Sequence, residues 1–253
     1  MQKVKVRSGI ELVIVENEAE FAKAAADKVS ELLKQKPNAI LGLPTGSTPE
    51  TMYAELVSRY KAGLLDFSQV TTFNLDEYVG LSDTHPQSYH SFMKKHLFDG
   101  VNIPSEARHL PSGETEPPEE SAAAYEALLN KLGPIDLMIL GIGTNGHIGF
   151  NEPGTPFDSR VHITSLAPST IQANSRFFSD ESEVPREAVT TGIGNILEAR
   201  QIMLLAKGES KAEAIAATLQ GEVTIEVPAS ALQQHNNVYV VVDKAAASLL
   251  KLE

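Results

Sequence analysis

Gly133-Pro134-Ile135-Asp136-Leu137-Met138-Ile139-Leu140 runs directly into Gly141-Ile142-Gly143-Thr144-Asn145-Gly146-His147-Ile148-Gly149-Phe150-Asn151-Glu152-Pro153, and the join between them decides the fold. Ile135 to Leu140 is short, apolar and preceded by Gly-Pro, the pattern of a parallel strand buried on both faces. Gly149, Pro153 and Gly154 forbid a regular helix after it, so the chain leaves the strand as a loop. In open α/β sheets ligands bind at that carboxyl edge. The loop carries His147 and, five residues on, Glu152. A carboxylate that accepts a hydrogen bond from imidazole fixes its tautomer and favours its protonated form, the makings of an acid/base pair.

Gly141, Gly143 and Gly146 formally satisfy the G-x-G-x-x-G pattern of dinucleotide binding. That motif needs a helix at once, and the residues after Gly146 cannot supply one, so a nicotinamide or flavin cofactor is rejected. Outward from this strand, apolar runs alternate with helical periodicity. Strands are expected at Glu11–Val15, Ala39–Leu43, Val70–Asn74, Ile135–Ile142, Gln201–Ala206 and Val238–Val242. Helices are expected at Glu18–Lys34, Pro49–Tyr60, Ser88–Phe98, Glu119–Leu132, Pro168–Phe177, Gly194–Ala199, Ser210–Leu219 and Lys244–Lys251. The alternation predicts an α/β three-layer sandwich, a mostly parallel central sheet flanked by helices, in one domain over residues 1–253.

With 42% hydrophobic residues, the 253-residue chain can bury a large core. Its longest apolar runs fall far short of the ~20 residues of a membrane span, and the start has no signal-peptide pattern. The absence of cysteine excludes disulfides, thiolate catalysis and cysteine-ligated metals, and fits a cytoplasmic enzyme. A net charge of -12 argues against nucleic acid and anionic membranes as partners. His85, His90, His96, His109, His162 and His235 lack the paired spacing of metal ligands, so no metal is expected.

Two further loops carry chemistry at expected strand ends. Pro44-Thr45-Gly46-Ser47-Thr48-Pro49 hands a strand to a helix, presenting backbone N–H groups and hydroxyls at a positive helix end suited to phosphate. It lacks the lysine and spacing of a nucleotide P-loop, so a small phosphate ester fits better. Phe73-Asn74-Leu75-Asp76-Glu77-Tyr78 places adjacent carboxylates at a strand end. One can face a ligand while the scaffold holds the other, and Asp76 is taken as the facing group. Arg176 and Lys211 are candidate phosphate partners.

Together, LPTGSTPE, FNLDEYVGL, HPQSYHSFM, GIGTNGHIGFNEPGT, ANSRFF and GESKA resemble, in order and spacing, the glucosamine-6-phosphate deaminase family over nearly the whole chain. The resemblance implies a Rossmann-like sandwich shared with phosphogluconolactonases, and conversion of glucosamine 6-phosphate and water to fructose 6-phosphate and ammonia without metal or organic cofactor. It implies that Asp76 moves the C2 proton to C1, that His147 opens the sugar ring, and that Glu152 orients and charges His147. Thr45, Gly46, Ser47, Thr48, Arg176 and Lys211 would hold the 6-phosphate.

Many longer members look to have aspartate at the position of Asn145, which can hydrogen-bond but supplies no charge; Asn145 is kept in the catalytic set. Those members also carry a basic pair near the segment of His162 and Thr164, and a longer tail used in activation by an N-acetylated sugar phosphate. The departures predict an unregulated enzyme and favour a monomer. A phosphogluconolactonase needs no base poised for C2, so FNLDEY and HIGFNEP argue against it. A non-catalytic sugar-phosphate sensor would usually carry a DNA-binding module, absent here.

Overall fold

The structure, a computed structural model, describes residues 2–7, 9–175, 178, 180 and 183–252. Among these residues eleven strands are seen: β1 Gln2–Arg7, β2 Ile10–Val15, β3 Ile40–Leu43, β4 Thr71–Asn74, β5 Asp76–Tyr78, β6 Arg108–His109, β7 Leu137–Leu140, β8 His162–Ser165, β9 Glu187–Thr190, β10 Ile202–Ala206 and β11 Val238–Asp243. The α-helices are α1 Glu18–Gln35, α2 Glu50–Lys61, α3 Tyr89–His96, α4 Pro118–Leu132, α5 Pro168–Ser175, α6 Ile193–Leu197 and α7 Ala212–Gln220.

Eight strands form the main sheet in the order β1-β2-β11-β10-β7-β3-β4-β6. All neighbours pair parallel except β1, which lies antiparallel on β2. From β3 the chain builds outward to β4 and β6, and from β7 it builds the other way to β10 and β11. The connections therefore part between β3 and β7, which is the switch point where an open parallel sheet leaves a crevice at its carboxyl edge.

The period-two alternation of side chains splits the sheet's residues between two cores. Leu41, Leu43, Leu137, Ile139, Met203, Leu205 and Val241 pack against Phe21, Val29 and Leu33 of α1 and Met52, Tyr53 and Leu56 of α2. Leu12, Ile14, Met138, Leu140, Leu204, Val240 and Val242 pack against Tyr125 and Leu129 of α4 and Ile215 and Leu219 of α7. These are the two helix-to-sheet seams of a three-layer sandwich. Strands buried on both faces read as unbroken apolar runs for this reason, which is why Leu137 to Leu140 showed no alternation.

Several expectations are corrected. Lys244–Lys251 is a series of turns, not a helix. The Asp243 carboxylate takes the backbone N–H of Ala246 and of Gly208, and Gln220 bonds both the N–H and the C=O of Lys251. Those bonds tie the segment to α7 and its preceding turn in place of its own helical ladder. The expected helix from Ser210 opens with a 3-10 turn, Glu209–Lys211, before α7. Helix α5 ends at Ser175, and the expected continuation to Phe177 lies outside the described residues. A second sheet, in the order β5-β9-β8 and antiparallel throughout, was not anticipated. A third small core, Tyr78, Phe150, Leu166, Ile171, Val184 and Ala188, lies against it.

At the opposite edge from the crevice, the buried Asp136 just before β7 accepts from Lys36 Nζ at 2.8 Å and from the backbone N–H of Ile40 at 2.8 Å, with Arg200 Nε at 3.3 Å. It thereby ties three loops together. Asp136→Ala leaves a buried N–H without its acceptor and is expected to cost about 2–3 kcal/mol in urea unfolding, with KM unchanged. A loss under about 0.5 kcal/mol would show the cluster to be only a surface feature.

Candidate active site

A cavity of about 250 Å³ opens at the crevice, lined by residues that follow β3, β4 and β7 and by Lys211, the residue before α7. From the loop after β3 come Pro44, Thr45, Gly46, Ser47 and Thr48. Tyr53 pins this loop by donating its hydroxyl to the Pro44 carbonyl at 2.6 Å. Gly46 sits at φ +90°, a conformation glycine adopts without steric cost. The loop ends at α2 and Lys211 opens α7, so two helix N-termini meet the cavity rim, an arrangement that favours an anion. Arg176, the other expected phosphate partner, lies outside the described residues.

Asp76 is placed by β5, the short strand that leaves the main sheet after Leu75 and pairs with β9 at Asp76↔Thr190, Glu77↔Val189 and Tyr78↔Ala188. In a strand, adjacent side chains point to opposite faces. Asp76 lines the cavity, whereas Glu77 is fully buried on the other side. There the Glu77 carboxylate accepts from the N–H groups of Tyr89 and His90 at the start of α3, and lies 2.9 Å from His90 Nδ1. Asp76 is 7% exposed. Burial, and then the neighbouring Glu77 charge, push its carboxyl from 3.8 up to about 8. Such a group can exchange a proton near neutrality. Nearby, Gly149 sits at φ +56°, where a Cβ would crowd Thr190 Oγ1 at 3.1 Å.

The loop after β7 presents His147. A Cβ on Gly143 would overlap the imidazole ring, so glycine at 143 is what lets the ring lie on the loop. The Gly143 N–H donates to the His147 carbonyl at 2.9 Å, closing the turn. His147 lines the cavity, and Glu152 stands behind it with Oε2 3.4 Å from Nδ1. Asn145 bridges the pair, donating Nδ2–H to Glu152 Oε2 at 2.7 Å and accepting the His147 backbone N–H at 3.2 Å. Thr170 of α5 donates its hydroxyl to Glu152 Oε1 at 2.6 Å. Burial alone would raise the Glu152 carboxyl, but the His147 contact, Thr170 and Asn145 outweigh it and hold it at about 2. Glu152 is therefore a fixed anion throughout the neutral range.

The structure thus gathers Asp76, Asn145, His147, Thr45, Gly46, Ser47, Thr48 and Lys211 around one cavity, with Glu152 one layer behind. Sequence reasoning missed Tyr89, Phe150 and Thr170, which also line it. Tyr89 stood within the HPQSYHSFM segment and could have been found there. Thr170 meets Glu152 only through folding, and nothing local marks it. Among the described residues no cluster of histidine, aspartate and glutamate could hold a metal ion, and no helix is long and apolar enough to cross a membrane.

Similarity to known proteins agrees with this geometry. The family described as glucosamine-6-phosphate isomerases/6-phosphogluconolactonase matches residues 16–241. The glucosamine-6-phosphate deaminase of Thermoanaerobacter sp. strain X514 is 51% identical over 241 residues, 95% of each chain. Glucosamine-6-phosphate deaminase 2 of Bacillus subtilis strain 168 is 50% identical over 244 residues, 96% of this chain and 98% of that one. The solved structure of a monomeric glucosamine-6-phosphate deaminase superposes with a TM-score of 0.93 at 43% identity, covering 94% of this chain and 99% of that one. The chain belongs to the glucosamine-6-phosphate isomerase/6-phosphogluconolactonase family.

Proposed function

We propose that this chain is a glucosamine-6-phosphate deaminase, and that Asp76 is its proton-transfer base. Glucosamine 6-phosphate and water give fructose 6-phosphate and ammonia. The observation that carries the reading is a buried carboxyl held at about 8 in the same cavity as a histidine backed by a fixed carboxylate. Relatives about half identical over nearly the full chain bear the same name.

The chemistry distributes as follows. The 6-phosphate sits on the Thr45–Thr48 loop and Lys211, so that binding energy from a non-reacting group aligns the sugar. His147, steadied by Glu152 and Asn145, moves a proton from the anomeric hydroxyl to the ring oxygen and opens the pyranose. Asp76 takes the proton from C2, leaving an enol-amine, and returns it at C1. The resulting C2 imine is hydrolysed by water, the carbonyl oxygen coming from water and the nitrogen leaving as ammonia. The substrate's C2 ammonium also brings positive charge to the cavity, which favours the ionised Asp76 that burial disfavours in the free protein. The reaction belongs to amino-sugar catabolism in the cytoplasm.

Asp76→Asn is expected to cut kcat by on the order of 10²–10⁴-fold in an ammonia-release assay, with little change in KM; wild-type-like turnover would remove Asp76 from the reaction. The same substitution is expected to stabilise the fold. An aspartate whose carboxyl is raised from 3.8 to about 8 folds at no cost while protonated, and destabilises increasingly as pH rises through that window. The Tm gain of Asp76→Asn should therefore be small at pH 4 and largest above pH 8, with about 2–4 °C for each kcal/mol. A gain equal at both pH values would contradict the raised carboxyl.

The protein acts as a monomer without cooperativity, as the place of the longer relatives' basic pair is held here by His162 and Thr164. Sedimentation is expected to give a mass near 27.3 kDa, with hyperbolic kinetics unaffected by N-acetylglucosamine 6-phosphate. A hexameric mass or sigmoidal kinetics would overturn this.

A further inference from the structure

Glu152 is held by two different parts of the chain. Its Oε2 receives Asn145 Nδ2–H at 2.7 Å and faces His147 Nδ1 at 3.4 Å, all within the loop after β7. Its Oε1 receives Thr170 Oγ1–H at 2.6 Å, from the third residue of α5 and 18 positions along the chain. A hydroxyl has one proton, and this bond uses it. Among the described residues, the titratable group in contact with the Glu152 carboxylate is His147. Thr170 is 6% exposed, yet it reaches the cavity wall.

Among its described side chains, helix α5 places none in either of the two large cores. Its buried Ile171 packs with Leu166, Tyr78, Phe150, Val184 and Ala188 in the third, smaller core. Its first turn is fixed by the Thr170 and Ile171 N–H groups, both donating to the Ala167 carbonyl. The position of the Thr170 hydroxyl therefore depends on this cluster of six buried residues, to which the His147 loop contributes Phe150 and α5 contributes Ile171. Among the described residues, the side-chain bond from α5 to the His147–Glu152 pair is Thr170 to Glu152.

We propose that Thr170 is a positioning residue, whose hydroxyl turns the Glu152 carboxylate toward His147 and makes the pair's alignment depend on the seating of α5. With Oε1 held, the carboxyl plane cannot rotate about its last bond, and Oε2 stays between Asn145 and His147. Without it, only Asn145 restrains the group, and the imidazole loses a partner of fixed direction. The inference rests on the ring-opening role assigned to His147, but its geometric half stands on the free protein.

The test compares Thr170→Val, which keeps the shape and removes the hydroxyl, with Thr170→Ser, which keeps the hydroxyl. In the unliganded protein, the Glu152 side-chain carboxyl carbon is titrated by NMR. It is expected to titrate higher in Thr170→Val by about half to one pH unit and as wild type in Thr170→Ser. With glucosamine 6-phosphate, kcat is expected to fall about tenfold in Thr170→Val, with KM changed less than about twofold and near-complete recovery in Thr170→Ser. Unmoved Glu152 titration in Thr170→Val, or equal losses in the two variants, would overturn the proposal. A Glu152 titration shifted in Thr170→Val, beside a wild type that releases no ammonia, would retain the clamp and remove the deaminase reading. Should Thr170→Val fail to fold, Thr170→Ala supplies the same titration.

Discussion

Everything at this site follows from one unfavourable arrangement: a carboxyl group, Asp76, buried beside a second buried carboxyl, Glu77. Two such neighbours cannot both be ionised cheaply in a poorly solvated place. The fold separates them by running residues 76–78 as a strand, so that they point to opposite faces. Glu77 is compensated by the start of α3 and by His90. Among the described residues no such compensation reaches Asp76, and burial and Glu77 are the causes acting on it. Keeping Asp76 buried costs the free protein stability as pH rises toward 8, and on the proposed reading the substrate's ammonium offsets that cost.

The second sheet exists, in this account, to hold that strand. β9 pairs with β5 at Thr190, the residue whose Oγ1 also accepts the N–H of Phe150 in the histidine loop. One residue thus ties the strand of Asp76 to the loop of His147, beside Gly149, where a Cβ would crowd Thr190 Oγ1 at 3.1 Å. The Thr45–Thr48 loop and Lys211 belong instead to the main sheet and its helices. The cavity is therefore assembled from two sheets, with the loop proposed for the phosphate on the larger and Asp76, the proposed base, on the smaller.

The main sheet was legible in the sequence because its strands are buried on both faces and its helices carry regular apolar stripes. Leu137 to Leu140 followed by glycines is a strong local signal, and so are the loops after β3 and β4. The second sheet was not legible, because β8 is half-exposed His-Ile-Thr-Ser and β5 is only three residues long. Their strand character comes from pairing across the fold, not from pattern. The edge strand β1 was not among the expected strands, although Gln2-Lys3-Val4-Lys5-Val6-Arg7 alternates with period two. Lys244–Lys251 has helical composition, but a local turn onto the Asp243 carboxylate and long-range hydrogen bonds to Gln220 prevailed over it. The choice of Asp76 over Glu77 could be framed from adjacency alone, whereas the clamp on Glu152 could not, since Thr170 reaches it only through the seating of α5.

The most direct measurement follows the hydrogen at C2, using glucosamine 6-phosphate deuterated at that carbon with wild type and Asp76→Asn. If Asp76 carries the proton, wild type breaks the C2–D bond with a primary isotope effect and delivers part of the label to C1 of fructose 6-phosphate, while Asp76→Asn leaves it at C2. Label leaving C2 at the same rate in both proteins would contradict the account.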